Sequence, residues 1–401
     1  MEPARGRLGV IFLTVLIDLI GFGIILPILP YLAQRFGAGG LGLGILMGAY
    51  SGMQFLSTLG LGRLSDRIGR RPVLLTTIIL NAAGYVLFAM ADSYGALLIA
   101  RMVSGGASGN IAVAQAYIAD ITPAAQRSRR LGLIGAAFGI GSVTGPFIGG
   151  IAGHYLGQAG PGLLAATLSL VNFLLALRIL PESLHHEHRA SRPLLDTAHA
   201  RAAFANPIVR PLLMLWLLAA FSWTGYITVL PLHAGHEWGW EARQLGWFFA
   251  AVGVVTITVQ GWAFGKLSRK IRDRTLLLAG LIGMSAAIFV IPFLTNMAAF
   301  WASTLVLAVG NSLFGPAVVG LTSTLADPTE QGTMLGLAQA LGALGRLAGP
   351  ETFGGAYDAL GPAVAFVASA GVMAVAALVA ARLGTGPASG GTRTPSAVSL
   401  K

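Results

Sequence analysis

The chain has 401 residues, of which 55% are hydrophobic and 10% charged. Soluble domains carry about 25% charged residues, so this composition excludes an ordinary soluble enzyme, a nucleic-acid-binding protein and a disordered chain, and leaves a polytopic membrane protein. The net charge of +11 would suggest nucleic acid in a soluble protein; in a membrane protein it reports basic cytoplasmic loops. The absence of cysteine excludes disulfides and thiol-ligated metals, and no histidines pair at i,i+4 inside an apolar segment, so no metal and no cofactor is expected.

About 20 apolar residues cross a bilayer. Twelve such segments follow one another, at 8–30, 41–62, 73–91, 95–119, 131–153, 162–181, 210–231, 244–265, 275–293, 297–325, 332–354 and 362–382. The first is no cleaved signal peptide, because its apolar run is too long and Asp18 and two prolines interrupt it. Of 26 basic residues, 22 fall on one side of this arrangement, Arg35 and Arg243 fall on the other, and Arg101 and Arg346 lie inside spans. That asymmetry predicts cytoplasmic termini. The expected organisation is a six-helix bundle over 1–181, a cytoplasmic central loop over 182–209, a second six-helix bundle over 210–384, and a disordered cytoplasmic tail over 385–401.

The two bundles read as copies. Gly62-Arg63-Leu64-Ser65-Asp66-Arg67-Ile68 matches Gly265-Lys266-Leu267-Ser268-Arg269-Lys270-Ile271 at an offset of 203. Gly141, Gly145 and Pro146 match Gly345, Gly349 and Pro350, and Asp18, Gly21 and Pro27 match Ser222, Gly225 and Pro231, all at 204. Three matches at one offset indicate a duplication. Six spans per copy give both the same membrane orientation, the parallel repeat of alternating-access transporters with a substrate site at the midplane.

The loop after span 2 continues through Gly69, Arg70, Arg71 and Pro72. The whole stretch resembles the signature G-x-L-x-D-R-x-G-R-R/K of the major facilitator superfamily. Gly62 is expected to allow close helix approach and Gly69 a tight turn. The resemblance implies a conformational latch of Gly62, Asp66, Arg67, Gly69, Arg70 and Arg71, with Asp120 at the end of span 4 as partner; Asp66, Arg70 and Asp120 would hold the outward-open state. In the second copy Arg269 and Arg272 stand where Asp66 and Gly69 do, so a second latch should be weak or absent. Span 5 carries Gly141, Gly145, Pro146, Gly149 and Gly150, which resembles the motif G-x-x-x-G-P-x-x-G-G of proton-coupled antiporters. With Asp18, Gly21 and Pro27 in span 1, the chain resembles the twelve-span drug/H+ antiporters, the tetracycline/H+ group in particular.

Asp18 lies about ten residues into span 1, roughly 15 Å deep at 1.5 Å per residue. A carboxylate there costs about 2.5–3.5 kcal/mol. Burial disfavours its charge and a nearby arginine favours it, so an acid balanced between the two can load and release protons. Asp18 is the expected proton-coupling residue, with Arg101 in span 4 as the partner that tunes it. Ser104, Ser108 and Gln115 continue the Arg101 face and are expected to line the cavity. Further candidates are Tyr50, Gln54 and Ser57 in span 2, Ser222, Trp223 and Tyr226 in span 7, and Gln339, Arg346 and Glu351 in span 11. Trp238, Trp240 and Trp247 are expected to anchor the interface.

One departure bears on the substrate. The tetracycline/H+ group typically carries an acid in span 3 just before a tyrosine, where this chain has Gly84 before Tyr85, and another in span 9, where Leu276 to Pro292 holds none. A neutral, zwitterionic or anionic compound therefore suits this chain better than a metal-chelate cation. The expected protein is an all-α major facilitator transporter of the bacterial inner membrane, monomeric, free of ATP chemistry, exporting a small amphiphilic molecule in exchange for protons. The alternatives are a proton-coupled importer or exchanger of a metabolite and a non-transporting sensor or scaffold.

Overall fold

The computed structural model describes residues 2–183, 204–207, 209–325 and 331–383; the tail expected to be disordered and most of the central loop lie outside them. The described residues are helical and contain no strand. In lipid every backbone group must be satisfied within its own segment, which leaves helices as the solution for apolar runs of this length.

In chain order the helices are α1 (Glu2–Ile25), α2 (Leu29–Arg35), α3 (Gly40–Ile68), α4 (Arg70–Ala89), α5 (Tyr94–Ala107), α6 (Asn110–Asp120), α7 (Ala124–Tyr155) and α8 (Gly160–Ile179). After the central loop come α9 (Val209–Trp238), α10 (Ala242–Thr258), α11 (Phe264–Leu267), α12 (Asp273–Val290), α13 (Met297–Leu325), α14 (Gln331–Leu360) and α15 (Pro362–Ala381). Local chemistry sets the breaks. Pro27 lies in the break between α1 and α2 and Pro30 in the first turn of α2, Ser93 caps α5 by accepting from the Ala96 amide, and Glu241 with Gln244 forms a capping box on α10, as orphan amides at helix starts require. Gly69 between α3 and α4 has φ +109°, a conformation costly to any residue with a Cβ. A π-turn at Val259–Ala263 joins α10 to α11.

Nine helical segments among the described residues are long and apolar enough to cross a membrane, against the twelve expected. The other three expected spans fall on α3, α7 and α14. These have 29, 32 and 30 residues, so length is ample, but they carry seven, eight and seven glycines. Glycine lowers hydropathy while permitting the close approach these helices make.

Those glycines define the two ends of the molecule. At the end away from the N-terminus, helices from the two halves of the chain touch through backbone. A Cβ at Gly40 would overlap the Gly354 carbonyl, one at Gly44 would meet Glu351 Cα at 2.7 Å, and one at Gly150 would meet Gly246 Cα at 2.7 Å. Asp358 of α14 accepts from the Gly40 and Leu41 amides at 2.7 and 2.8 Å, so an acid of one half caps the positive start of a helix in the other. Tyr31 donates to the Trp240 carbonyl at 2.8 Å, and Arg35 donates to Gln158. At the N-terminal end, Cβ positions at Gly60, Gly62, Gly261, Gly265 and Gly336 meet nothing within 4 Å. The two halves thus meet through backbone at the far end, whereas these glycines at the N-terminal end face open space.

Candidate functional site

Asp18 is 3% exposed. One of its carboxylate oxygens accepts from Asn81 of α4 at 3.0 Å and the other from Asn110 of α6 at 2.5 Å. This corrects the expected partnership with Arg101, which makes no ion pair with Asp18. Arg101 donates weakly to the Leu46 carbonyl at 3.4 Å. Its guanidinium lies 4.3 Å from the centre of the Tyr50 ring and 5.7 Å from that of Phe22, a cation–π arrangement favoured by the dry surroundings. Its Nη2 has no hydrogen-bond partner. Asparagines buried in apolar helices are expensive unless bonded, and that was the signal in the sequence by which Asn81 and Asn110 could have been found.

The polar stripe of α5 and α6 packs instead of lining a cavity. Tyr50 donates to Ser108 at 2.6 Å, and Ser108 donates to the Ser104 carbonyl. Ser104 and Ser108 are each 3% exposed, and only Gln115, one turn from the helix end, is exposed. Ser104 also explains Gly84: a Cβ there would overlap the Ser104 hydroxyl and meet its amide nitrogen at 3.0 Å, so this packing has no room for an acid at position 84. Gln54 and Ser57 are partly buried, and Ser57 donates to the Gln54 carbonyl.

In the second half Ser222 and Tyr226 are a further correction. Both are 0% exposed. Ser222 donates to the Ser369 carbonyl of α15 at 2.8 Å, and Tyr226 stacks with Trp223 and Phe366. They belong to the core, because α9 turns that face toward α15, while Trp223 stays partly exposed. Trp238 and Trp240 also join this core, against Phe300; only Trp247 is exposed as an anchor would be. On α14 Gln339 is exposed and Arg346 partly buried. Arg346 has its Nη1 3.4 Å from where a Gly342 Cβ would be, and Glu351 lies against α3, its Oε1 2.7 Å from where a Gly48 Cβ would be.

The loop between α3 and α4 forms a network. Arg70 pairs with Asp66 at 2.6 Å and Asp120 at 3.1 Å. Its Nη1 also donates to the Ser65 hydroxyl at 2.6 Å and the Gly62 carbonyl at 3.3 Å. Gly62 therefore serves as an acceptor in open space, not as the close helix contact expected. Glu182, which the sequence reading missed, accepts from the Arg70 and Arg71 amides at 2.9 and 3.2 Å and caps α4. Arg71 donates to the Leu177 carbonyl, Ser183 donates to Asp120, and Arg67 is exposed. The signal was an acid just past the end of span 6, in a chain with few acids. Over Lys266–Arg274 no ion pair to an acid forms among the described residues, and Lys266 lies over the Trp262 ring.

The span-5 motif has two faces. Gly141, Gly145 and Gly149 seat α7 on α1, where a Cβ would meet Leu19 Cβ at 2.6 Å, meet the Ile20 carbonyl at 2.7 Å, or overlap Ile24. Pro146 packs against Gly23. Gly150 faces the other half. Gly345 and Gly349 seat α14 on α9 in the same way, against Leu217 and Phe221.

A bundle of membrane-length helices that holds a buried acid between neutral amides is the architecture expected of a membrane transporter. The family model of the Major Facilitator Superfamily matches residues 11–350 and 212–399, and the chain belongs to that superfamily. It is 32% identical to "Tetracycline resistance protein, class E" of Escherichia coli over 354 residues, 86% of each chain. It is 25% identical to "Multidrug resistance protein 2" of Bacillus subtilis over 353 residues, covering 86% of this chain and 87% of the other. Among solved structures, a bacterial homolog of the human lysosomal transporter Spinster, inward-facing and occupied, superposes with TM-score 0.78 at 16% identity, covering 95% of this chain and 97% of that one. The human organic anion transporter MFSD10 superposes with TM-score 0.71 at 24% identity, covering 95% and 100%.

Proposed function

We propose that the protein is a proton-coupled exporter of a small amphiphilic molecule, built from twelve spans in two six-helix repeats with cytoplasmic termini, and acting as a monomer in the bacterial inner membrane. The observation that carries this reading is Asp18: a carboxylate buried at membrane depth, held by neutral amides and touched by no cation. Such a group can change protonation without breaking an ion pair. With the termini cytoplasmic, a crevice between the halves opens inward, the state in which an exporter takes up its cargo and an incoming proton leaves. The repeat reading gains support from the matching seats of α7 on α1 and α14 on α9. The relatives named for tetracycline and multidrug resistance support a flat, amphiphilic drug as cargo.

Arg346 of α14, with Gln54, Trp223, Gln339 and Glu351, forms our candidate substrate surface. The Gly84–Ser104 packing supports a cargo other than a metal-chelate cation. The network of Asp66, Arg70 and Asp120 assembles here within the N-terminal half while the near end is open. A hold on the outward-open state would need an added contact across the halves when that end closes. Proteoliposomes with an imposed pH gradient and a panel of amphiphiles test the reading. The wild type should move cargo against its gradient, in opposite directions in right-side-out and inverted vesicles, and Asp18→Asn should not. A protein that moves nothing yet binds a membrane partner would restore the sensor reading.

A further inference from the structure

Asn81 and Asn110 come from different helices, are 0% and 1% exposed, and each gives its amide to a different oxygen of Asp18. Their own amide oxygens, Asn81 Oδ1 and Asn110 Oδ1, have no hydrogen-bond partner. A guanidinium can only donate and an ionised carboxylate can only accept, but a primary amide does both, and half a turn about its last torsion exchanges the two. Ionised Asp18 needs donors, whereas protonated Asp18 needs an acceptor for its O–H. A buried group that lacks the matching partner in either state is destabilised by its whole desolvation cost.

We propose that Asn81 and Asn110 are positioning residues of the proton step. Both donate to Asp18 when it is ionised. When a proton from crevice water attaches to one carboxylate oxygen, the facing amide turns and its oxygen accepts the new O–H. Both charge states are then held in one place without a fixed counter-ion, which an arginine in contact could not do. The inference rests on the reading of Asp18 as proton carrier. The other titratable groups facing this pocket are Tyr50 from α3, Tyr85 from α4 and Arg101 from α5, and none hydrogen-bonds to the carboxylate. Among the described residues next to α1, α7 presents Gly141 and α8 presents Asn172, which accepts from Thr14.

The test is a pH titration of the Asp18 carboxyl stretch by infrared difference spectroscopy on the purified full-length protein in proteoliposomes, assigned by its loss in Asp18→Asn. Transport, across the same pH range, of the panel amphiphile that the wild type accumulates fastest is the second readout. Asn81→Leu and Asn110→Leu should each move the infrared midpoint alkaline by about one pH unit or more, since each removes a hydrogen bond to a charged group. Asn110→Ser, which keeps a donor and acceptor, should return most of that shift. If a Leu variant fails to accumulate, Ala at the same position is read the same way. Unmoved midpoints, with only a uniform loss of transport, overturn the inference and leave Asp18 as carrier. A carboxyl band that does not titrate in the wild type overturns the carrier reading and the inference with it.

Discussion

The two halves of the chain share a way of packing but not a chemistry. In each, a glycine face of one helix seats it on the first helix of its half, α7 on α1 and α14 on α9. The N-terminal half then buries polar groups: Asp18 with two asparagines, Arg101 over Tyr50, and Arg70 between two acids. The C-terminal half instead stacks rings at its far end, where Trp238, Trp240, Phe248 and Phe300 lie against one another. Where α1 has Asp18, α9 has Ser222, bonded to Ser369. Among the described residues the buried Asp and Arg side chains, Asp18, Arg70 and Arg101, all lie in the N-terminal half.

This contrast can be broken or sharpened by substitution. The largest stability effect is expected from Trp240→Ala, which leaves a cavity in the aromatic core and should cost about 3 kcal/mol or more while leaving the pH dependence of transport unchanged; unfolding in detergent and transport assays together check this. Arg70→Ala strands Asp120 and frees the α3–α4 turn, and should cost roughly 2 kcal/mol after discounting the exposed Asp66. Arg269→Ala, at the position 203 residues on from Asp66, should fall within the scatter of the same unfolding measurement. Asp358→Asn weakens the cap on α3 by about 1 kcal/mol and should loosen the far end. Because the chain has no cysteine, a single Leu43→Cys, at a buried position between the halves, would report that loosening as faster thiol labelling. The smallest effect is expected from Tyr50→Phe, which loses one hydroxyl bond worth about 1 kcal/mol, leaves the Arg101 contact with the ring and changes transport little. Loss of coupling in that variant would move the chemistry from Asp18 to the phenol.

The fold was largely legible in the sequence, because hydropathy at span length and recurring glycine-proline motifs are local signals. Asp18 and the Asp66–Arg70–Asp120 set were also legible, as charges that a membrane protein has no other reason to keep. What escaped was rotation. Ser104, Ser108, Ser222 and Tyr226 lie on faces that a helical wheel identifies as polar, but the wheel does not say whether that face meets a crevice or another helix. The pairing of Arg101 with Asp18 rests on resemblance, since the family often has a basic residue at that place in span 4; in the structure Asn81 and Asn110 hold the carboxylate instead. Gly84 read as a missing acid, and its reason, the Ser104 hydroxyl pressed against it, needed the neighbouring helix to be seen.

The central claim is that Asp18 carries the transported proton. The direct measurement is cargo accumulation in proteoliposomes under an imposed pH gradient, with wild type and Asp18→Asn compared at equal reconstituted amounts. The account predicts uphill accumulation by the wild type and, for Asp18→Asn, only equilibration down the cargo's own gradient, insensitive to pH. Uphill transport by Asp18→Asn with the wild-type pH dependence would contradict it.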